Sequence, residues 1–218
     1  MLSISFAPTA RLRPFVRELV VMESHHAMTG PILPVPGVLV GFRYAGAAAL
    51  LEGTQYRAVS SAGLVGLRTS VRRMRSLAGG GIVVVRFNEL GAAAFFDEPL
   101  NEVFGRMVGL EELDRRKGLA EVQARLGEAR SHAERVALVD GYLCGRLREL
   151  TFDPLVHRAV GAIAQRDGAL RIGALAKELG TSRDPLEKRF RRWVGATPKQ
   201  LCSILRVQRV VSGFGRGA

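Results

Sequence analysis

Leu175-Ala176-Lys177-Glu178-Leu179-Gly180-Thr181-Ser182-Arg183-Asp184-Pro185-Leu186-Glu187-Lys188-Arg189-Phe190-Arg191-Arg192-Trp193-Val194-Gly195 reads as helix, tight turn, helix. The first helix starts near Ile172. Leu175 and Leu179 supply its buried side, and Ala176 is small enough for a second helix to cross closely. Gly180 can take the left-handed conformation that ends this helix, and Thr181 or Ser182 can cap the next. Pro185 falls in the first turn of the second helix, Ser182–Val194, where its missing amide costs little.

At about 100° per residue, Leu186, Phe190 and Trp193 share one side of the second helix and are assigned to the core. Asp184, Glu187, Lys188 and Arg191 share the other side, with Arg183 and Arg192 at its margins. A helix presenting such a face suits the major groove of double-stranded DNA. Lys188 and Arg191 can donate to guanine O6/N7, and Glu187 can accept from a cytosine amino group. Arg183 and Arg192 suit phosphates, which position a protein without reading sequence. The plainer alternative is a solvated charged face on an ordinary helix. Against it stands the coincidence of small residue, glycine turn, cap and basic face within one short segment.

Working outward, Thr151-Phe152-Asp153-Pro154 is a break followed by a fresh helix start, with Asp153 as cap and Pro154 at the first helical position. Residues 151–218 hold 13 Lys+Arg against 5 Asp+Glu, so +8 of the chain's formal +12 lies there. A polyanionic partner is favoured, because counterion release drives binding to phosphates.

Residues 1–100 carry short apolar runs broken by Gly and Pro, the pattern of a small β-sandwich or barrel. Candidate strands are Val16–Glu23, Val38–Tyr44, Ala47–Leu51, Gln55–Ser60, Ala62–Leu67, Val71–Leu77 and Ile82–Phe87, with Gly79-Gly80-Gly81 as a hairpin turn. Ala92–Phe96 and Asn101–Phe104 read as short helical turns. Leu119–Leu126 opens a longer helix. Ser131 and Glu134 have capping-box spacing, and the stripe Val136, Val139, Leu143, Leu147, Leu150 makes the following helix amphipathic to about residue 150. That helix is a candidate dimer or interdomain contact, or it packs on its own β domain. The expected fold class is α+β, with a β-rich sensory or dimerisation domain at 1–108, a helical linker at 109–150 and an all-α helix-turn-helix domain at 151–218.

Residues 171–211 resemble the AraC/XylS family of bacterial regulators, on Leu175-Ala176, Gly180, Ser182, Leu186, Lys188-Arg189, Phe190, Gly195 and Pro198, followed by Arg206-Val207-Gln208-Arg209-Val210. Less specifically, Gly63–Leu67, Arg86-Phe87 and Phe95-Phe96 with Pro99-Leu100 resemble the sensory domain of one AraC-like subgroup. The resemblance implies base contacts at Asp184, Glu187 and Lys188, and a small effector in a cupin-like barrel. It also implies two tandem helix-turn-helix units. This sequence carries the first unit and the start of the joining helix, Pro198–Val211, and not the second; its Gly-rich end Ser212–Ala218 is read as non-helical. Fewer phosphate contacts imply weaker binding, which two half-sites read by a homodimer restore.

Other function classes find little support. His25 and His26 are adjacent, in a strand end or loop, His132 lies in a helix and His157 in the helix-turn-helix domain, so no metal set is expected. No catalytic motif is present; Asp97-Glu98 and Glu111-Glu112 read as helix starts, where acids favour the dipole. No enzyme activity and no cofactor are expected, although a cupin-like enzyme is the third alternative. The second alternative is a ligand-binding or dimerising module that acts through a partner regulator. Cys144 and Cys202, each in an apolar helical pattern, read as buried free thiols, and with no signal peptide or membrane span in the pattern a cytoplasmic setting is expected.

Overall fold

A computed structural model describes residues 1–113 and 118–214. Ten strands form among these residues: β1 Leu2–Phe6, β2 Val16–Ser24, β3 Met28–Ile32, β4 Leu39–Ala45, β5 Ala48–Glu52, β6 Gln55–Ala58, β7 Ala62–Val65, β8 Arg72–Ser76, β9 Gly80–Phe87 and β10 Met107–Gly109. All seven anticipated strands are present, with ends shifted by a few residues. β1, β3 and β10 were not anticipated, and all three lie at sheet edges. They are made by partners far away in sequence, Leu2 opposite Glu23 and Val108 opposite Leu64. Pro31 in β3 is tolerated because an edge strand does not need every amide.

The strands are antiparallel and form two sheets, β1-β2-β9-β4-β7-β10 and β3-β8-β5-β6. No closed barrel forms among the described residues, so the sandwich reading holds and the barrel reading does not. Alternation along β9 buries Val83, Val85 and Phe87, and β4 buries Val40 and Phe42 on the same face. The Phe42 ring stands 5.4 Å from Tyr142, so this face looks onto the helices.

Seven helices follow among the described residues: α1 Leu110–Leu113, α2 Leu119–Glu128, α3 His132–Cys144, α4 Pro154–Gln165, α5 Ile172–Glu178, α6 Arg183–Val194 and α7 Pro198–Phe214. Two 3-10 turns, Gly91–Ala94 and Leu100–Val103, precede them, close to the two helical turns anticipated. α3 stops at Cys144 rather than near 150, with Gly145 as its C-cap. The Ser131 hydroxyl accepts from the Glu134 amide at 3.2 Å, but the Glu134 carboxylate accepts from Arg130 N at 2.9 Å, one residue upstream of the expected cap. Val136, Val139 and Leu143 are buried against the large sheet, so the apolar stripe of α3 is spent within the chain and is not free for a second subunit. α7 continues through Ser212–Phe214, where a non-helical tail was expected; residues 215–218 lie outside the described residues. The linker expectation for 109–150 likewise includes residues 114–117, which lie outside them.

Asp140 is a buried carboxylate in α3 and is fully used. It accepts from Thr9 N at 3.0 Å and Thr9 Oγ1 at 2.8 Å, tying the start of the chain to the helical layer. Rings then bridge the sheets to the C-terminal helices. Phe87 and Phe95 lie 5.1 Å apart, Phe95 and Phe15 5.9 Å, Phe15 and Phe152 6.1 Å, and Phe152 and Trp193 5.8 Å. The apolar core is continuous from β9 to α6 along this row.

Candidate nucleic-acid interface

Local chemistry sets each element around the interface. Asp153 Oδ1 accepts from Leu155 N at 2.9 Å and Val156 N at 3.4 Å, capping α4 as its spacing predicts, with Pro154 at the start. Gly180 ends α5 with φ +69, a left-handed conformation that a side chain disfavours. Ser182 is the N-cap residue of α6, but its hydroxyl makes no capping bond. Leu186, Phe190 and Val194 are fully buried, whereas Trp193, assigned to the core, is half-buried beside Phe152. Gly195 closes α6 at φ +85, and an added Cβ there would stand 2.9 Å from Leu100 O, so the helix end sits directly on the Leu100–Val103 turn.

The opposite face of α6 carries the six expected residues. Asp184, Lys188, Arg191 and Arg192 are exposed and Glu187 is half-buried. Arg191 Nη2 lies 3.7 Å from Glu187 Oε2, one helical turn away. Arg189, assigned no contact from the sequence, pairs with Asp153 Oδ2 at 3.5 Å. Arg183 is exposed but lies back over α5: an added Cβ on Gly173 would stand 2.6 Å from its Nη2. Gly173 leaves the seat that this guanidinium takes. Lys188 and Arg192 form no ion pair among the described residues, which leaves both cations for an outside anion.

Two open hollows border this face. One, of about 750 Å³, is lined by Asp153, Asp184, Pro185, Lys188, Arg189, Arg192 and Trp193. The other, of about 370 Å³, is lined by Asp184, Glu187, Lys188 and Arg191 together with Asn101. Asn101 belongs to the β half, and no local pattern indicated that it would stand beside α6. The contact follows from the seating of α6 on the Leu100–Val103 turn.

A third cavity, of about 360 Å³, lies between the large sheet and the helices, walled by Phe42, Phe95, Phe96 and Tyr142, with Glu98 and Arg146 as polar groups. Asp97 also lines it and is paired with Arg148 at 2.8 Å. Such an apolar chamber with a few polar groups lies within the size range of small-molecule sites. Of the two free cysteines, Cys202 is buried under Gly168, and burial pushes its thiol pKa up, which keeps it unreactive. Cys144 is half-buried rather than buried, its Sγ 3.7 Å from Asp140 Oδ2. Among the described residues no group of three or more His, Cys, Asp or Glu is placed to hold a metal, and no helix is long and apolar enough to cross a membrane.

No protein-family model matches the chain, and no curated protein matches it. Among solved structures, ToxT from Vibrio cholerae aligns over 92% of this chain and 83% of its own, at 13% identity and a TM-score of 0.47. Wild-type ToxT from Vibrio cholerae strain SCE256 with a bound unsaturated fatty acid aligns over 92% and 81%, at 12% identity and 0.48. The AraC-like transcriptional activator CuxR aligns over 92% and 78%, at 15% identity and 0.32. Likeness at this level assigns neither ligand nor activity.

Proposed function

We propose that this chain is a sequence-specific, double-stranded-DNA-binding transcription regulator of the AraC type, working in the cytoplasm. The observation that carries the reading is α6 itself. One side, Leu186, Phe190 and Val194, is fully buried, and the other offers Lys188 and Arg192, without an ion pair among the described residues, beside Asp184, Glu187 and Arg191. In this reading Lys188, Arg191, Glu187 and Asp184 reach base edges, and Arg192 and Arg183 contact phosphates. Arg183 must first leave its seat over Gly173. Control comes from a small effector in the 360 Å³ cavity, or from pairing of two copies so that two half-sites are read together. The division into a β-rich part at 1–108, a helical linker at 109–150 and a DNA-binding part at 151–218 belongs to this reading.

A second reading has its own observation. Asn101 shares a hollow with the base-reading residues, and Gly195 rests on Leu100, so the β half borders the face that would enter the groove. This favours a ligand-binding or dimerising module that acts through a partner regulator. Selection of DNA from a random pool by the purified protein, followed by titration at two salt concentrations, separates the two. An enriched, salt-sensitive motif supports the first reading, and its symmetry reports whether a dimer binds. Weak binding without a motif supports the second.

A further inference from the structure

From Gly53 to Asn88 the chain holds six arginines, at positions 57, 68, 72, 73, 75 and 86, and no carboxylate. Three arginines meet at one end of the sandwich. Arg68, just before β8, is 4% exposed. Its Nη2 donates to Ile32 O at 3.3 Å and Leu33 O at 3.2 Å, while its Nε is buried without a partner. Arg72, half-buried, donates to Gly105 O, and Arg106, at the surface, donates through Nη1 to Glu102 O at 3.3 Å. Among the described residues none of the three forms an ion pair. Their acceptors are all backbone carbonyls, which carry only partial charge.

A buried guanidinium without a counter-charge is costly, and a like-charged neighbour raises the cost. Burial, then the charge of Arg72, push the Arg68 pKa down, but a guanidinium starts so high that it stays protonated. The remaining way to neutralise the cluster is an anion. Arg68, Arg72 and Arg106 line one cavity of about 10 Å³ between the sheets, with Ile32, Leu50 and Met107 as its apolar walls. That is room for about one water-sized atom. The three residues grade from buried Arg68 through half-buried Arg72 to exposed Arg106, which marks a way in.

We propose that Arg68, Arg72 and Arg106 form a binding site for an oxyanion group, a carboxylate or a phosphate, with one oxygen in the cavity and the rest of the ligand at its mouth. Forked guanidinium donors match these groups in both charge and shape. The site is separate from the cavity beneath Phe95 and from the α6 face, so it stands or falls independently of DNA binding.

Thermal unfolding of the full chain in sodium phosphate, sodium acetate, a nucleoside monophosphate and sodium chloride, at equal ionic strength and without DNA, tests it. At about one hundred times the dissociation constant, the bound oxyanion is expected to raise Tm by about 5–10 °C over chloride. Phosphate or acetate responding alone names the chemical source. Arg68→Met is expected to abolish the rise while leaving Tm in chloride unchanged or higher, since an unpaired buried charge is gone. Arg106→Gln, at the surface, is expected to weaken binding about tenfold with Tm in chloride unchanged. Equal Tm in all four salts, or a rise that survives both substitutions, overturns the proposal.

Discussion

Arg192→Ala is expected to flatten the salt dependence of DNA binding without altering the preferred sequence, and Lys188→Ala to do the reverse. Of the basic side chains on α6, Arg189 is held by Asp153 at 3.5 Å, Arg191 by Glu187 at 3.7 Å, and Arg183 lies over Gly173. Arg192 is left as an exposed cation with no ion pair among the described residues, and in the proposed reading it meets a phosphate. Each phosphate contact contributes about 0.9 to the slope of log affinity against log salt, so removing one makes the loss between about 50 and 200 mM salt roughly 3.5-fold smaller. Lys188 projects beside Glu187 and Arg191, and losing one base contact costs about 1–3 kcal/mol, roughly 5- to 150-fold, at one base position only. Fluorescence anisotropy with the selected duplex and its single-position variants, across that salt range, measures both quantities. An unchanged slope for Arg192→Ala together with unchanged discrimination for Lys188→Ala would refute the placement of α6 in the groove.

Phe190→Ala should lower the stability of the C-terminal helices by about 3–5 kcal/mol, because a fully buried ring is lost; urea unfolding with an unchanged midpoint would contradict the core assignment. Asp153→Ala removes the α4 cap and the partner of Arg189 and should cost about 1 kcal/mol, while Asp153→Asn should recover most of it; equal losses in denaturant titration would show that the cap is not the source. Glu23 accepts from Tyr44 Oη at 2.6 Å and lies 3.2 Å from His132 Nε2, and chiefly the tyrosine hydrogen bond holds its carboxyl below the usual glutamate range. A carboxyl whose pKa falls on folding stabilises above its unfolded value, about 4.3, and loses that contribution as pH drops through the folded value. The stability gap between the wild type and Glu23→Gln should therefore shrink from pH 6 toward pH 3, and a constant gap would count against the assignment.

The sequence spoke most clearly where the signals were local. Gly180, Pro185 and the spacing of Leu186 and Phe190 defined the helix-turn-helix, and Asp153-Pro154 defined the start of α4, because turn conformation, capping and helical period are settled within a few residues. It was less clear at ends and edges. The apolar period runs about six residues past the end of α3, since Leu147 and Leu150 continue it beyond Gly145. β1, β3 and β10 went unseen because a short edge strand is defined by its partner more than by its own residues.

Composition, charge placement and local periodicity thus determined the α+β class, most strands, the C-terminal helices and the basic outer face of α6. Only the tertiary structure decided that the strands form two sheets, that the stripe of α3 faces inward, that Asn101 stands beside Glu187, Lys188 and Arg191, and that Arg68 and Arg72 are gathered with no carboxylate paired to them among the described residues. These contacts join Thr9 to Asp140 and Leu100 to Gly195. Closing such long loops is worthwhile only when many buried contacts form together, so no short window of sequence contains the answer.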